Sequence, residues 1–346
     1  MLPLIHHLGK VSFMSYGSVL PTKYSSNGAE ALLPSLPPSP SARKSLAVAS
    51  LFGVMGVMSF CFTSGVGSQL GLYSSPATAS FDYDLSKDYF DLSKWAYCSK
   101  DTLKDRELFQ LRSKGDSLKV VESDLDAFAY ILDSGEADPD EPVKLVFRGS
   151  GTSLNVITDL LTWKTTDEGL CTGCSIHTGF YNVWSSIEEQ VMSQMEKYGK
   201  ERNIVAAGHS LGGAMAAIAS LILVEKGYEN VKCFTFGKPR VGNKDFADFY
   251  NEKLREWRVV NKNDPISHMP MENFGFSHEG DEIWLKGDGK FEICGEGENE
   301  GCSNSVGWLR YDQDDHTIGW YDEVKETGGS ANDDDAQSMC PLGPSA

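Results

Sequence analysis

The sequence contains no excess of basic residues, and this limits its possible partners. Its 346 residues carry 49 Asp and Glu side chains against 31 Lys and Arg, a net charge of −18. Because phosphate binding depends on basic patches, this composition argues against a nucleic-acid partner. The sequence also has no internal repeat. With 40% apolar residues, the chain can bury a sizeable core, and its length suits one enzyme-sized domain with appendages.

The first 80 residues contain almost no acidic side chains. Glu30 is their only acid and is opposed by four basic residues, so this segment carries +3 and the rest of the chain −21. An apolar run at residues 46–62 follows Arg43-Lys44. The run is short for a membrane span and slightly long for a signal-peptide core, so its pattern does not separate these two interpretations.

Three locations are therefore considered for the mature protein. We expect residues 1–80 to be a secretory leader, with the protein secreted or in the lumen of the secretory pathway. The small residues Ala77-Thr78-Ala79 offer a cleavage site, although they lie far from the apolar run. The alternatives are a membrane anchor formed by residues 46–62 and a plastid or other organelle lumen.

From Phe81 onward, strand-like runs alternate with helical ones. A helix is predicted over residues 84–98, with Leu85, Phe90, Leu92 and Trp95 as its buried positions. An amphipathic helix ending at Gly199 is predicted from the spacing of Phe180, Val183, Trp184, Ile187, Val191 and Met195. The predicted strands cover residues 143–147, 203–207, 231–236, 257–261 and 281–285. This alternation predicts an α/β fold with reactive loops at the carboxyl ends of the strands.

The composition also divides the chain into segments. Residues 1–80 form the predicted leader, residues 81–326 the α/β domain, and residues 327–346 a flexible acidic tail. The tail contains Thr327-Gly328-Gly329-Ser330 and Asp333-Asp334-Asp335, a composition typical of a solvated end.

The stretch Gly208-His209-Ser210-Leu211-Gly212 has the form Gly-x-Ser-x-Gly, with an apolar strand-like run before it and an Ala-rich helical run after it. A sharp strand-to-helix turn lifts a serine hydroxyl out of the chain and places it at a helix N-terminus. Gly208 and Gly212 leave room for the strand and the helix to pack at such a turn. We therefore predict Ser210 to be a catalytic nucleophile.

A serine nucleophile needs a base and an acid that orients the base. In the α/β-hydrolase order these follow the serine, acid first. Asp264 comes directly after the predicted strand 257–261, and Pro265 stops that strand. The possible bases are His268, His278 and His316. His268 is only four residues from Asp264 and His278 precedes a strand, so structural roles are expected for both, and spacing favours His316.

Six motifs appear in an order that resembles the class 3 lipase family, whose best-known members are secreted fungal triacylglycerol lipases. The similarity covers residues 84–324. The motifs are Phe147-Arg148-Gly149-Ser150, His177-Thr178-Gly179-Phe180, Gly208-His209-Ser210-Leu211-Gly212-Gly213, Phe236-Gly237-Lys238-Pro239-Arg240-Val241-Gly242, Asn263-Asp264-Pro265 and His278-x-Gly280-x-x-Ile283-Trp284.

The resemblance implies an α/β-hydrolase fold, with a mostly parallel central sheet flanked by helices and covered by a short helical lid. It implies a catalytic triad of Ser210, Asp264 and His316. It also implies an oxyanion hole formed by Ser150, after strand 143–147, and by the backbone N–H of Leu211. No metal or organic cofactor is implied.

The segment after Ser150 matches the position of the family's lid. Leu154, Ile157 and Leu161 share one helical face, flanked by Leu160 and Trp163. Many family members have Trp where this chain has Val156, a departure that affects the expected acyl-chain contacts. The alternative interpretation of this stripe is an ordinary packed surface helix.

The eight cysteines indicate an oxidising compartment. Cys171-Thr172-Gly173-Cys174 is half of a zinc-site pattern, but no second half completes it, so a disulfide is expected. Cys294 and Cys302 bracket a short loop and are expected to pair. By resemblance, Cys98 and Cys340 would form a terminal disulfide. Cys233 is predicted to be a free buried thiol, and Cys61 belongs to the leader.

These observations predict a monomeric lipase that hydrolyses long-chain acyl esters, chiefly triacylglycerol, at a lipid–water interface. The alternatives on the same fold are a phospholipase A1, a galactolipase and an aryl-ester (feruloyl-type) esterase. A more remote alternative is a catalytically inactive lipid-binding homologue, which would have lost a triad residue.

Overall fold

The computed structural model of the chain describes residues 80–104, 117–135, 138–150, 164–166, 170–287 and 289–318, together with residue 340. All of these belong to a unit that spans Leu70–Ala346. A second unit, Met1–Gln69, lies outside the described residues, as do the apolar run at 46–62 and most of the acidic tail. The proposed domain boundaries therefore stay a prediction. In the described part of the chain, every helix is too short or too polar to cross a membrane.

The described elements alternate between strands and helices. The helices are α1 (Tyr83–Trp95), α2 (Lys100–Lys104), α3 (Thr178–Ser185), α4 (Glu188–Met195), α5 (Leu211–Glu225) and α6 (Lys244–Lys253). The strands are β1 (Ser117–Glu122), β2 (Phe128–Asp133), β3 (Val143–Phe147), β4 (Lys164–Thr166), β5 (Ser175–His177), β6 (Asn203–His209), β7 (Asn230–Phe236), β8 (Arg255–Asn261), β9 (Asp281–Gly287) and β10 (Lys290–Glu296).

Eight strands form one sheet in the order β1-β2-β3-β6-β7-β8-β9-β10. The central run from β3 to β9 is parallel, and antiparallel strands complete both edges. Strands β4 and β5 form a separate two-stranded sheet. The predicted mostly parallel α/β sheet is confirmed, and it places the carboxyl ends of β3, β6 and β8 at the same edge.

Helices cover both faces of the sheet, as the side chains of β6 show. Ile204 and Ala206 pack in the apolar cluster that contains helix α5, whereas Val205 and Ala207 pack in the cluster that contains Tyr89 and Phe90 of α1. Successive side chains of a strand point to opposite faces, so an apolar run without alternation is what a strand buried on both sides requires.

Helix α1 differs from its prediction in one buried position. Phe90 and Trp95 are buried and Leu92 is partly buried, but Leu85 is 42% exposed. The helix packs through Ser86, Tyr89, Phe90 and Ser93, whose spacing forms a face that does not include Leu85. Leu85 lies in the first turn, where its backbone N–H bonds the capping side chain of Asp82. The prediction of a buried Leu85 is wrong.

The amphipathic helix predicted to end at Gly199 is two helices in the structure. Helix α3 ends at Ser185, and α4 begins at Glu188. At the break, the Ser186 hydroxyl donates to the backbone oxygen of Val183 and also contacts the hydroxyl of Ser123. Serine side chains that bond nearby backbone compete with helical bonding in this way. The apolar spacing continues across the break, because Ile187 is fully buried.

Five strands and two helices of the described part of the chain were not predicted; one of these helices is α2, which follows α1. Strands β1, β2 and β10 form the edges of the sheet, β4 and β5 form the small one, and α6 precedes β8. Strand β2 reads Phe-Ala-Tyr-Ile-Leu-Asp and is buried along most of its length, so its apolar run was a usable signal. Strand β10 reads Lys-Phe-Glu-Ile-Cys-Gly-Glu, and the short alternation of Phe291 and Ile293 with polar residues was a weaker signal.

The described part of the chain contains three disulfides, and they join the pairs that the sequence suggested. Cys171 bonds Cys174, Cys294 bonds Cys302, and Cys98, just after α1, bonds Cys340. Because Cys171 and Cys174 are bonded to each other, neither thiol can hold zinc. Cys233 on β7 is a buried free thiol.

Three buried charged residues link the segment after β7, strand β8 and the segment before β9. Lys238, Glu256 and Glu279 are almost completely inaccessible to solvent. The Lys238 ammonium lies 3.5 Å from a Glu256 carboxylate oxygen and also bonds Glu279. Burial raises the pKa of Glu256 to about 7, although Lys238 acts in the opposite direction. Removal of the ammonium would leave two buried carboxylates without their shared cation.

We expect the terminal disulfide to stabilise the fold more than the short one. Cys98 and Cys340 are 242 positions apart, whereas Cys294 and Cys302 are 8 apart. The longer loop removes more entropy from the unfolded chain, about 5 against about 2.5 kcal/mol. Urea unfolding of the paired Cys→Ala variants should show this difference, and equal losses would contradict it.

Replacement of Lys238 by Met should destabilise the fold increasingly as pH rises. Since the pKa of Glu256 is raised, its contribution to stability is full below the ordinary carboxyl pKa and is lost as pH rises through about 7. Without Lys238, the stability lost when Glu256 ionises is larger. Breaking a buried ion pair lowers the free energy of unfolding by about 3–5 kcal/mol. Urea unfolding at pH 5 and pH 8 measures this.

Lys244→Met is the matched control, because Lys244 pairs with Asp248 on the exposed surface of α6. Lys244→Met should lower the free energy of unfolding by less than about 1 kcal/mol at both pH values. Equal losses in the two variants, or no pH dependence for Lys238→Met, would show that the buried cation does not compensate the buried carboxylates.

Candidate active site

Ser210 stands on the turn between strand β6 and helix α5. Its backbone has φ 58° and ψ −127°, a conformation that side-chain-bearing residues seldom adopt. The turn is held by the Ser210 amide, which donates to the oxygen of Phe236 at 2.8 Å, and by the Gly213 amide, which donates to the oxygen of Ser210 at 2.9 Å. The strained turn points the side chain away from both elements, as a nucleophile requires.

The two glycines of the motif are required by close backbone contacts. A Cβ atom on Gly208 would lie 2.2 Å from the carbonyl oxygen of Gly212. A Cβ atom on Gly212 would lie 2.3 Å from the carbonyl oxygen of Phe147, at the end of β3. Any side chain at either position would push the helix away from the strands, so the spacing in Gly-x-Ser-x-Gly follows from the packing.

His316 brings its imidazole to the Ser210 hydroxyl. The Nε2 atom lies 2.9 Å from Ser210 Oγ, and the Nδ1 atom lies 2.9 and 3.0 Å from the two carboxylate oxygens of Asp264. A carboxylate can only accept, so Nδ1 carries the proton and donates it to Asp264. Nε2 is then the acceptor for the serine hydroxyl, which is the tautomer that a general base needs.

Asp264 is held at the end of strand β8. Its side chain is fully buried, and one carboxylate oxygen accepts the Ile266 amide at 2.8 Å. Its own amide donates to the oxygen of Asn261, so a tight turn directly follows the strand. The carboxylate is thereby fixed toward the imidazole before any substrate arrives.

The loop that carries His316 has little regular structure and is held by side chains. The Asn261 amide group donates to the oxygen of Asp315 at 3.0 Å, and the Asn263 amide donates to the Asp315 carboxylate at 3.1 Å. The Asp312 amide donates to the oxygen of Asn263. The histidine loop is thus bonded to the loop of Asp264, so base and acid are positioned together.

The two residues predicted for the oxyanion hole lie at the ends of neighbouring elements. Strands β3 and β6 are parallel, with Phe147 opposite Gly208. Ser150 follows β3, and Leu211 is the first residue of α5, where backbone N–H groups have no acceptor within the helix. This places both residues beside Ser210, and their role as donors stays a proposal.

The remaining candidate histidines lie outside the triad. His278 is buried and bonds the oxygen of Ser267 through Nε2 at 2.6 Å. His268 contacts Asn304 and stacks on the ring of Tyr311. Burial lowers the pKa of both imidazoles. These contacts agree with the structural roles expected for these two residues.

Two parts of the predicted site cannot be placed in the same way. The lid residues Leu154, Val156, Ile157, Leu160, Leu161 and Trp163 lie outside the described residues. Among the described residues, the one cluster with metal-ligand spacing is Glu282, Cys294 and Cys302, and its two cysteines are joined in a disulfide. The hydrogen-bonded serine, imidazole and carboxylate of Ser210, His316 and Asp264 are arranged for acyl transfer.

The contacts of His209 at the site were not predicted. His209, next to the nucleophile, bonds the backbone oxygen of His316 and the hydroxyl of Tyr97. Its place in the Gly-x-Ser-x-Gly motif was the available signal, but the partners are 107 and 112 residues away along the chain. Spacing along the sequence does not reveal such contacts.

Comparison with known proteins gives relatives of one kind. The profile of the family described as Lipase (class 3) matches residues 144–274, a stretch that includes Ser210 and Asp264. The secreted mono- and diacylglycerol lipase A of Penicillium cyclopium is 32% identical over 146 residues, which cover 41% of this chain and 48% of that protein. The match thus spans about half the length of the curated relatives.

Solved structures match over a larger share. Lipase II from Rhizopus niveus has a TM-score of 0.61 and 29% identity, with 68% of this chain and 92% of that chain covered. A triacylglycerol lipase described as having a serine protease triad as its catalytic centre has a TM-score of 0.60 and 27% identity, with the same coverage. With the motifs and the sheet order, these similarities support the resemblance to class 3 lipases, and they show the α/β-hydrolase fold.

Proposed function

We propose that this chain hydrolyses long-chain acyl esters, chiefly triacylglycerol, at a lipid–water interface. The observation that carries the proposal is the continuous hydrogen-bond chain from Ser210 through His316 to Asp264. The match to the class 3 lipase family over residues 144–274 supports it, as does the similarity to a triacylglycerol lipase with a serine protease triad. An inactive lipid-binding homologue would not need these three residues in hydrogen-bonding order.

In the first half-reaction, Ser210 Oγ attacks the carbonyl carbon of the ester while His316 Nε2 takes the hydroxyl proton. Asp264 stabilises the imidazolium and keeps the ring in place. The amides of Ser150 and Leu211 would donate to the oxyanion, each contributing about 2.7–4 kcal/mol. His316 then gives its proton to the departing alcohol oxygen, and the acyl group remains on Ser210.

In the second half-reaction, water attacks the acyl carbonyl carbon and His316 takes one of its protons. The bond to Ser210 Oγ breaks, the proton returns to that oxygen, and the fatty acid leaves. Both steps use the same base and the same oxyanion donors.

We further propose that residues 151–163 form a lid over the site. Ser210 and His316 expose only 2% and 6% of their surface, and a segment that covered them would have to move before a long acyl ester could react. The lid's apolar stripe would contribute about 1.5–3 kcal/mol per large side chain when buried. A lipid surface removes most of the cost of exposing that stripe, which would couple opening to the interface.

A second candidate substrate class is partial acylglycerols. It is favoured by similarity to a relative named as a secreted mono- and diacylglycerol lipase. Phospholipids, galactolipids and feruloyl-type esters would use the same triad. Activity of the mature domain on emulsified tri-, di- and monoacylglycerols, phospholipid, galactolipid and a soluble aryl ester separates these classes.

We propose that the protein is a monomer that acts outside the cell or in the lumen of the secretory pathway. The three disulfides support an oxidising compartment. The names of the relatives from Penicillium and Gibberella, which call them secreted lipases, support the same location.

Ser210→Ala should abolish ester hydrolysis with little loss of stability, because it removes one hydroxyl. Asp264→Asn should lower kcat by about 10⁴, since an amide favours the wrong imidazole tautomer. Steady-state rates on a soluble short-chain ester, with thermal unfolding of each variant, measure both effects.

Ser220→Ala is the matched control for the serine variant. Ser220 is buried on helix α5, where its hydroxyl donates to the oxygen of Ala216 in the preceding turn and also contacts the Cys233 thiol, away from His316 and Asp264. This control should keep kcat within twofold. Wild-type turnover in Ser210→Ala or Asp264→Asn would remove that residue from the proposed triad.

Replacement of Leu154, Ile157 and Leu161 by Ser should weaken interfacial activity selectively. In the wild type, activity on a sparingly soluble triacylglycerol should rise disproportionately above the solubility limit, because lipid stabilises the open lid. The triple variant should lose this rise and still hydrolyse a short soluble ester, since the triad lies outside the stripe. Rates measured across the solubility limit test this.

Ile293→Ser, which changes an exposed apolar residue on the edge strand β10, is the control and should leave the rise unchanged. Equal losses of the triple variant on both substrates would mean that the segment is structural core. A smooth saturation curve in the wild type would favour a plain esterase.

A further inference from the structure

Tyr97, between helix α1 and the Cys98–Cys340 disulfide, has its hydroxyl buried beside the site. The hydroxyl lies 2.8 Å from Nδ1 of His209, the residue before the nucleophile, and it also accepts the backbone N–H of Gly149. The opposite ring nitrogen of His209 lies 2.9 Å from the backbone oxygen of His316. One chain of hydrogen bonds therefore joins four separate segments, those of Tyr97, Gly149, His209 and His316.

The approach of Tyr97 depends on a glycine. A Cβ atom on Gly149 would lie 2.0 Å from the Tyr97 hydroxyl oxygen and 2.7 Å from the backbone oxygen of His209. Gly149 directly precedes Ser150, the proposed oxyanion residue. The hydroxyl therefore fills the space between the end of strand β3 and the nucleophile turn, and it holds these two backbones at a fixed separation.

The direction of each hydrogen bond follows from the groups involved. The backbone oxygen of His316 can only accept, so His209 Nε2 carries a proton. Burial, and to a lesser degree the nearby His316, lowers the pKa of His209 to about 3, so its Nδ1 is unprotonated at neutral pH and accepts from the Tyr97 hydroxyl. Burial also raises the pKa of Tyr97, which stays a neutral hydroxyl able to accept from Gly149.

This arrangement suits the charge changes of the proposed reaction. The His209 and His316 rings lie 4.8 Å apart between centroids. When His316 becomes an imidazolium during attack, a second cation at that distance would oppose it. A His209 that is neutral and locked in one tautomer adds no such charge and keeps its N–H on the backbone of the base.

We propose that Tyr97 and His209 are positioning residues for the acyl-transfer reaction. Tyr97 fixes the tautomer of His209 and the separation of the oxyanion strand from the nucleophile turn, and His209 fixes the backbone of His316. The proposal rests on the hydrolase function proposed above. Residues that hold catalytic groups in place affect the rate without contacting substrate, because small misplacements weaken transition-state contacts.

The test compares two Tyr→Phe variants of the full-length protein. Tyr97→Phe removes the hydroxyl that three segments share. Tyr130→Phe removes an equally buried hydroxyl that bonds the backbone oxygen of Leu92, outside this network. We expect Tyr97→Phe to lower kcat on a soluble short-chain ester by about 10- to 100-fold, with KM within twofold. Tyr130→Phe should keep both constants within twofold.

Thermal unfolding of the two variants separates positioning from stability. A merely structural role predicts that kcat follows the loss of folded protein equally in both. Equal kcat values for the two variants, or a loss of Tyr97→Phe activity seen only in KM, would overturn the proposal. If the wild type hydrolyses no ester, the proposed function itself has failed, which is a different result.

Two further measurements apply if Tyr97→Phe does not fold. His209→Gln keeps a neutral donor and acceptor, whereas His209→Leu keeps neither, so we expect kcat to be higher in His209→Gln at similar KM. In the wild type, nitrogen NMR of labelled histidines should show His209 neutral, with its proton on Nε2, down to about pH 4. Equal kcat in the two His209 variants, or a His209 that titrates near pH 6.5, would contradict the proposal.

Discussion

The structure depends on a close backbone contact where strands β3 and β6 meet the first turn of helix α5. The carbonyl oxygens of Gly212 and Phe147 occupy the space that side chains at Gly208 and Gly212 would need. This contact allows α5 to start directly against the sheet and forces Ser210 into its left-handed conformation. The same approach brings the end of β3, and with it Ser150, next to the nucleophile. The proposed nucleophile and oxyanion donors are therefore consequences of one packing arrangement, which tolerates no side chain at two positions.

The base and acid are positioned differently, by hydrogen bonds between loops. His316 follows a segment with only short 3-10 turns, and its location depends on Asp315, which bonds Asn261 and Asn263. Buried charges such as Lys238 with Glu256 and Glu279 hold the neighbouring loops in a similar way. Polar contacts of this kind contribute little net stability but tolerate few alternative arrangements, because each unpaired buried group would be costly. The close packing at Gly208 and Gly212 thus sets the position of the proposed nucleophile, and polar contacts between loops set the positions of the proposed base and acid.

The parts of the fold that could be predicted are those with local signals. The strand before Ser210 and the glycines around it identified the turn, and Asp264 could be selected because it ends a strand. His316 was favoured over His268 and His278 by spacing, and the family resemblance strengthened that choice. The helix break at Ser186 was missed because the apolar spacing continues across it, and one of the contacts made by Ser186 there is with Ser123, 63 residues away. The prediction that Leu85 is buried was wrong because it used only the apolar character of this residue. It did not take account of the helical face that Ser86, Tyr89, Phe90 and Ser93 define.

The contact between Tyr97 and His209 shows why part of a site remains hidden in a single sequence. Neither residue has an unusual local context: Tyr97 follows an apolar helix end, and His209 fills a variable position of a short motif. Their meaning arises when three segments, far apart in the chain, are brought within hydrogen-bond distance around Gly149. Gly149 in turn looks like an ordinary turn residue until the Tyr97 hydroxyl is seen where its Cβ would lie. Long-range polar contacts of this kind have no period or spacing along the chain, so only the folded structure reveals the groups that align the proposed catalytic residues.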